Sequence, residues 1–77
     1  MAIRTDFKEL FRCARKDQVR VYCLRVVSLG LELWRMTETA GLRTDSVMEA
    51  HLTSTDEVLQ LLEEIKRSLQ AGGWKIS

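Results

Sequence analysis

The sequence predicts an all-α fold, a small helical bundle with three main helices at about residues 6–16, 18–40 and 54–71 and a short helix near 46–52. One supporting observation is composition: the 77 residues include no proline and only four glycines, fewer turn-forming residues than small sheet-rich domains usually need. The other is spacing, because apolar residues recur at helical intervals near both ends of the chain. The length fits one domain, so we expect residues 1–77 to form a single helical domain with 72–77 as a short C-terminal tail.

The first helix is predicted from four apolar residues at positions i, i+3, i+4 and i+7, namely Phe7, Leu10, Phe11 and Ala14. Thr5 or Asp6 can cap its start, and Glu9 follows Asp6 at the spacing of a capping box. If this helix continued straight into the next segment, its apolar stripe would lie on the polar side of that segment. A break between the first two helices, with Asp17 as a new N-cap, is therefore the simplest interpretation.

The second segment, residues 18–40, allows two interpretations. Residues 19–27 are rich in β-branched side chains, and Ser28-Leu29-Gly30 can form a hairpin turn, which would make the fold α+β. At a period of two, however, both faces mix arginine with valine. At roughly 100° per residue the polar side chains gather on one narrow side. We therefore predict one long helix with a wide apolar face, ended by Gly41.

Two more helices follow from capping patterns. Ser46 and Glu49 have capping-box spacing, which predicts a short helix near 46–52 with its apolar side chains, Val47, Met48 and Leu52, facing inward. Ser54 and Glu57 repeat the pattern before a regular apolar stripe made of Val58, Leu61, Leu62, Ile65 and Leu69. Gly72-Gly73 ends this last helix. The tail that follows either folds back on the core or serves as a docking element.

Composition also bears on the cellular compartment. The two cysteines, Cys13 and Cys23, are fewer than a small secreted domain normally carries, and no apolar signal sequence follows Met1. We expect a cytoplasmic protein whose thiols act as small apolar side chains. The most apolar stretch, residues 19–36, contains four charged side chains, so we expect no membrane-spanning segment.

No pattern in the sequence predicts catalysis. His51 is the only histidine and has no cysteine at zinc-ligand spacing, and the four glycines match no phosphate-binding loop. The carboxylates Glu63 and Glu64 fall on the outer side of an amphipathic helix, where they are solvated. We therefore expect a non-enzymatic protein with no metal, no cofactor and no small-molecule substrate.

The wide apolar face of the predicted 18–40 helix is the strongest indication of function. A surface helix needs an apolar stripe about 100° wide, and this one is wider than so short a chain can cover. We therefore predict a protein–protein interaction module, a homodimer or a small subunit of a larger assembly. The predicted partner-binding residues are Val26, Leu29, Leu33, Trp34, Met36 and Trp74.

An alternative function is a nucleic-acid-binding adaptor or regulator. Residues 1–35 contain eight basic and four acidic side chains, whereas residues 36–77 contain four basic and seven acidic ones. The candidate polyanion-binding residues are Arg12, Arg15, Lys16 and Arg20. A nucleic-acid reader built on the last helix is disfavoured, because its acidic side chains would repel phosphates.

Overall fold

A computed structural model describes residues 7–77 and shows a five-stranded antiparallel sheet with one helix, so the all-α helical-bundle prediction is wrong. The elements are β1 (Phe7–Arg15), β2 (Gln18–Val27), β3 (Gly30–Thr39), β4 (Leu42–Leu52), α1 (Thr55–Ala71) and β5 (Lys75–Ile76). The strands lie in the order β4-β3-β2-β1-β5. The sheet is therefore a meander of four long strands, completed at one edge by the C-terminal strand.

Two-residue turns connect the four long strands. The β1–β2 turn contains Asp17, which is therefore not a helix N-cap, and the β3–β4 turn contains Ala40 and Gly41. Ala40 and Gly41 have φ angles of 54° and 86°, as the first and second positions of a type I′ hairpin turn require. Gly41 thus ends a strand rather than a helix. Turns this short need few special residues, so the absence of proline did not exclude a sheet.

The predicted 18–40 helix is a hairpin of β2 and β3, paired from Gln18↔Thr39 to Val27↔Gly30. A strand with one solvated face is expected to alternate polar and apolar residues, and residues 18–40 do not. The absence of this alternation is the reason that a helix is predicted there. β2 lies inside the sheet and has apolar residues on both faces. Its arginines add long aliphatic stems to each face, so neither face is cleanly polar.

A β-bulge explains the wrong prediction of a helix at 6–16. The register of β1 with β2 shifts between Glu9 and Phe11, so one extra residue lies in β1. Leu10 and Phe11 consequently both pack toward the main core, whereas Phe7 packs on the other side of the sheet. By register Ala14 lies on the same side as Phe7, so the helical spacing of these four residues does not correspond to one face of β1. The caps predicted at Thr5 or Asp6 lie outside the described residues.

β4 occupies the segment predicted as a short helix at 46–52. The register of β4 with β3 shifts at two places. In this register Met48 lies opposite Trp34, and Val47 lies opposite Arg35. Neighbouring side chains of a strand point to opposite faces, so Val47 and Met48 cannot both face inward. They are 39% and 45% exposed.

α1 is the element that the sequence predicts correctly. The Ser54 hydroxyl accepts a hydrogen bond from the Glu57 N–H at 3.2 Å, as expected for an N-cap. The Glu57 carboxylate accepts hydrogen bonds from the Thr53 N–H and hydroxyl at 2.9 and 3.0 Å. These bonds lower the pKa of Glu57. Within residues 7–77, no helix is long and apolar enough to cross a membrane.

The main core lies between α1 and one face of the sheet. Its buried residues are Phe11, Cys13, Tyr22, Leu33, Val58, Leu62, Leu69 and Trp74. The tail folds back on this core, because Trp74 is only 6% exposed and β5 pairs with β1 at Cys13 and Ala14. α1 thus covers one face of the sheet, and Trp74 packs at the edge where β5 joins β1.

Candidate interaction surfaces

The sheet face opposite α1, called the open face here, is covered by no helix or strand of residues 7–77. Strand register and side-chain alternation define its members. They are Phe7, Glu9, Arg12, Ala14, Val19, Val21, Cys23, Arg25, Val27, Glu32, Trp34, Met36, Glu38, Arg43, Ser46, Met48 and His51.

The centre of the open face is a second apolar cluster. Val21, Cys23 and Met36 are 6%, 6% and 9% exposed, although no helix or strand in the described part of the chain lies over them. Four long charged side chains lie around them, namely Glu9, Arg12, Glu38 and Arg43. Phe7 meets Trp34 edge to face, with ring centroids 5.8 Å apart and planes at 88°. The face therefore has an apolar centre with a charged rim.

The charges of the open face are balanced, with three arginines and three glutamates. Arg12 pairs with Glu9 at 2.8 Å, and the hydrogen bond between them lowers the pKa of Glu9. Arg25 lies 3.6 Å from Glu32, which also accepts a hydrogen bond from the Trp34 indole N–H at 3.0 Å. The third acid and base, Glu38 and Arg43, are paired positions on β3 and β4. The open face is therefore zwitterionic and has no strong preference for an anion or a cation.

A shallow depression of about 320 Å³ lies on this face, over Val21, Cys23 and Met36. The Cys23 thiol is its nucleophilic group. Burial raises the pKa of this thiol, which keeps it protonated and weakly nucleophilic. Cys13 is also a free thiol with a pKa raised by burial, and it lies on the α1 side of the sheet. The depression thus resembles a contact surface more than a reaction centre.

The predicted partner-binding residues do not form one surface. Trp34 and Met36 share the open face, whereas Leu33 is completely buried under α1. Val26 and Leu29 are 69% and 82% exposed near the β2–β3 turn. The remaining residue, Trp74, packs in the main core.

The predicted polyanion-binding residues are also divided. Arg12 lies on the open face beside Glu9, and Lys16 is exposed in the β1–β2 turn. Arg15 and Arg20 approach each other on the α1 side, where their guanidinium carbons lie 5.0 and 4.5 Å from the centroid of the Trp74 ring. The structure therefore brings together two of the four and places a buried aromatic ring beside them.

Sequence reasoning missed Phe7, Val21 and Cys23 as surface-forming residues of one face, and Arg35 as a neighbour of Arg20. The alternation of Val19, Val21 and Cys23 was the signal for the shared face. It was hidden because Tyr22 and Leu24, between and after them, are apolar as well.

His51 is exposed on β4 and lies opposite Glu32 in the register of β3 and β4. Within the described part of the chain, no three histidine, cysteine or acidic side chains are grouped closely enough to hold a metal ion.

No protein-family model, curated protein or solved structure matches this chain.

Proposed function

We propose that this protein is a non-enzymatic interaction module whose open face packs against the open face of a second copy. The supporting observation is the edge-to-face pair of Phe7 and Trp34 beside a buried apolar cluster, on a sheet face that no helix or strand within 7–77 covers. Small domains usually cover each apolar sheet face with another layer. Among the described residues, 7–77, α1 covers one of the two faces and no element covers the other.

The charge pattern favours a second copy as the partner. A two-fold axis through the open face brings the same patch of both chains together, so acidic groups of one can meet basic groups of the other. Three glutamates and three arginines suit such self-complementary contact. The same glutamates would repel the phosphates of a nucleic acid.

The outer edge of β4 is less suited to dimerisation than the open face. Its register with β3 is interrupted at two bulges, and the strand carries the charged residues Arg43, Asp45 and Glu49. Bulges and charges on an edge strand oppose strand-to-strand pairing with another molecule. We therefore propose face-to-face packing rather than extension of the sheet.

The mass of the full chain in solution tests this proposal. Light scattering after gel filtration, from micromolar to millimolar protein, is expected to show a concentration-dependent rise from 8.9 kDa toward twice that mass. Met48→Lys places a charge on the exposed rim of the open face and is expected to weaken the dimer about tenfold, equivalent to about 1.4 kcal/mol. Leu59→Lys is the matched control, because Leu59 is also exposed and lies on α1.

Three results would contradict the proposal. The first is a mass that stays at the monomer value over the whole concentration range. The second is equal weakening by Met48→Lys and Leu59→Lys, which would place the contact elsewhere. The third is a monomer that dimerises only after deletion of residues 1–6, which would show that the chain's own N-terminal segment occupies the face.

A further inference from the structure

A cluster of arginines lies on the α1 side of the sheet, beside the end of the helix. We call it the arginine corner and define it as Arg15, Arg20, Tyr22, Arg35, Glu49 and Trp74. In the register of β2 and β3, Arg20 lies opposite Thr37, and Tyr22 lies opposite Arg35. Arg20 and Arg35 therefore occupy diagonal positions on neighbouring strands and point to the same face of the sheet. The corner lies on the side of the sheet opposite to the open face.

Trp74 holds two of these arginines in place. Its ring is 6% exposed, and the guanidinium carbons of Arg20 and Arg15 lie 4.5 and 5.0 Å from the ring centroid. Arg15 also donates a hydrogen bond to the Gly72 carbonyl oxygen at 2.9 Å. Stacking on a fixed ring reduces the conformational freedom that these side chains would lose on binding a ligand.

The positive charge of the corner exceeds its negative charge. Glu49 lies 3.0 Å from the Arg35 guanidinium, and residues 7–77 place no carboxylate within 4 Å of Arg15 or Arg20. The Nε atoms of Arg20 and Arg35 are buried and have no hydrogen-bond partner in the described chain. A buried donor without a partner destabilises the folded chain until a ligand or water satisfies it. The corner therefore has both excess charge and unused donors.

We propose that the arginine corner binds a phosphate group. A tetrahedral phosphate presents several oxygens and can accept hydrogen bonds from more than one guanidinium, whereas a carboxylate presents two. The Tyr22 side chain lies beside Arg20, which supplies a further polar group at the site. Trp74 is buried under the arginines, so the corner recognises the phosphate rather than a base that stacks on the ring. This site is independent of dimerisation through the open face.

Titration of the full chain with inorganic phosphate, followed by two-dimensional NMR at constant ionic strength, tests the proposal. Phosphate is expected to shift the backbone resonances of Arg20, Arg35 and their neighbours, with chloride as the reference salt. Arg20→Gln is expected to weaken binding about tenfold, because charge-assisted hydrogen bonds to phosphate are lost. Arg12→Gln is the matched control: it removes the same charge from the open face.

Glu49→Gln provides a test with the opposite sign. It removes the carboxylate that competes for Arg35, so phosphate is expected to bind severalfold more tightly. Because Glu49 is exposed on β4, this variant keeps the core intact. A merely structural role of the arginines predicts no such gain.

The source of the phosphate is distinguished by a second titration with dimethyl phosphate, a phosphodiester. Tighter binding of inorganic phosphate supports a terminal phosphate as the ligand, and tighter binding of dimethyl phosphate supports a backbone phosphate. The proposal is overturned if neither probe shifts the corner resonances more than chloride does. Equal weakening by Arg20→Gln and Arg12→Gln also overturns it, because binding would then reflect net charge alone.

Discussion

Phe7 of β1 and Trp34 of β3 meet edge to face above β2, the strand that separates them in the sheet. Their contact therefore links two strands that share no backbone hydrogen bonds. Phe7 also lies beneath the Arg25 guanidinium, whose carbon is 5.6 Å from the ring centroid. These three side chains form one end of the open face.

Phe7→Ala is expected to destabilise the protein by about 1–3 kcal/mol, since it removes a half-buried ring and an aromatic pair. Trp34 loses its cover, so its fluorescence is expected to move to longer wavelength. Urea unfolding and emission spectra measure the two effects. The emission change is best observed in a Trp74→Phe background, and an unchanged spectrum there would contradict the contact.

Gly30→Ala is expected to cost more stability than Gly41→Ala. A Cβ at Gly30 would lie 2.5 Å from the Leu52 carbonyl oxygen, and the φ angle there is 145°. At Gly41 the φ angle is 86° and no atom lies within 4 Å, so only backbone strain of about 1–2 kcal/mol is expected. Thermal unfolding of the two variants checks this order, and equal losses would contradict the close approach of β3 to Leu52.

Ser54→Ala is expected to destabilise the protein by about 1 kcal/mol, because the Glu57 N–H loses its cap. Ser68→Ala is the matched control inside α1. Alanine has the higher helix propensity, so this control is expected to be neutral or stabilising by up to about 0.5 kcal/mol. Urea unfolding of both variants measures the difference, and a neutral Ser54→Ala would refute the cap.

The Glu57 carboxylate is expected to make stability depend on pH. Hydrogen bonds from Thr53 lower its pKa in the folded protein from the ordinary value of 4.5. Its contribution is therefore fully present above that value and is lost as the pH falls through the lower, folded-state pKa. Urea unfolding from neutral to acidic pH is expected to show a smaller loss in Glu57→Gln than in the unaltered chain.

Glu64→Gln removes an equal charge from the same helix and controls for net charge. If Glu57→Gln and Glu64→Gln have the same acid dependence, the Thr53 hydrogen bonds do not contribute to it.

The success at α1 and the failures in the strands have one physical explanation. The helix is specified by nearby residues, namely a cap at Ser54 and an apolar stripe that covers a single core. β1 and β4 contain bulges, which interrupt the alternation of side chains between the two faces and so remove the period-two signal of a strand. For the β2–β3 hairpin, apolar side chains on both faces removed the period-two signal. A hairpin is the alternative interpretation of residues 18–40, and the pairing of β2 with β3 confirms it.

The candidate surfaces were only partly predictable. Trp34 and Met36 are predicted as partner-binding residues from their apolar character. In the structure, strand alternation places both on the open face. Arg15 and Arg20 are predicted as polyanion-binding residues from their charge. Their contact with Trp74 is not predicted, because Trp74 follows them by more than fifty positions in the sequence. Such contacts depend on the pairing of β5 with β1, which no short sequence pattern indicates.

The return of the tail to β1 has a consequence for polymerisation. β5 and the hydrogen bond from the Ser77 N–H to the Arg12 carbonyl oxygen occupy the outer edge of β1 near its C-terminal end. β5 thus protects this part of β1, as the bulges and charges of β4 protect the opposite edge of the sheet. Removing residues 75–77, which leaves Trp74 in the core, is therefore expected to expose the β1 edge and promote fibril formation, detectable by thioflavin binding.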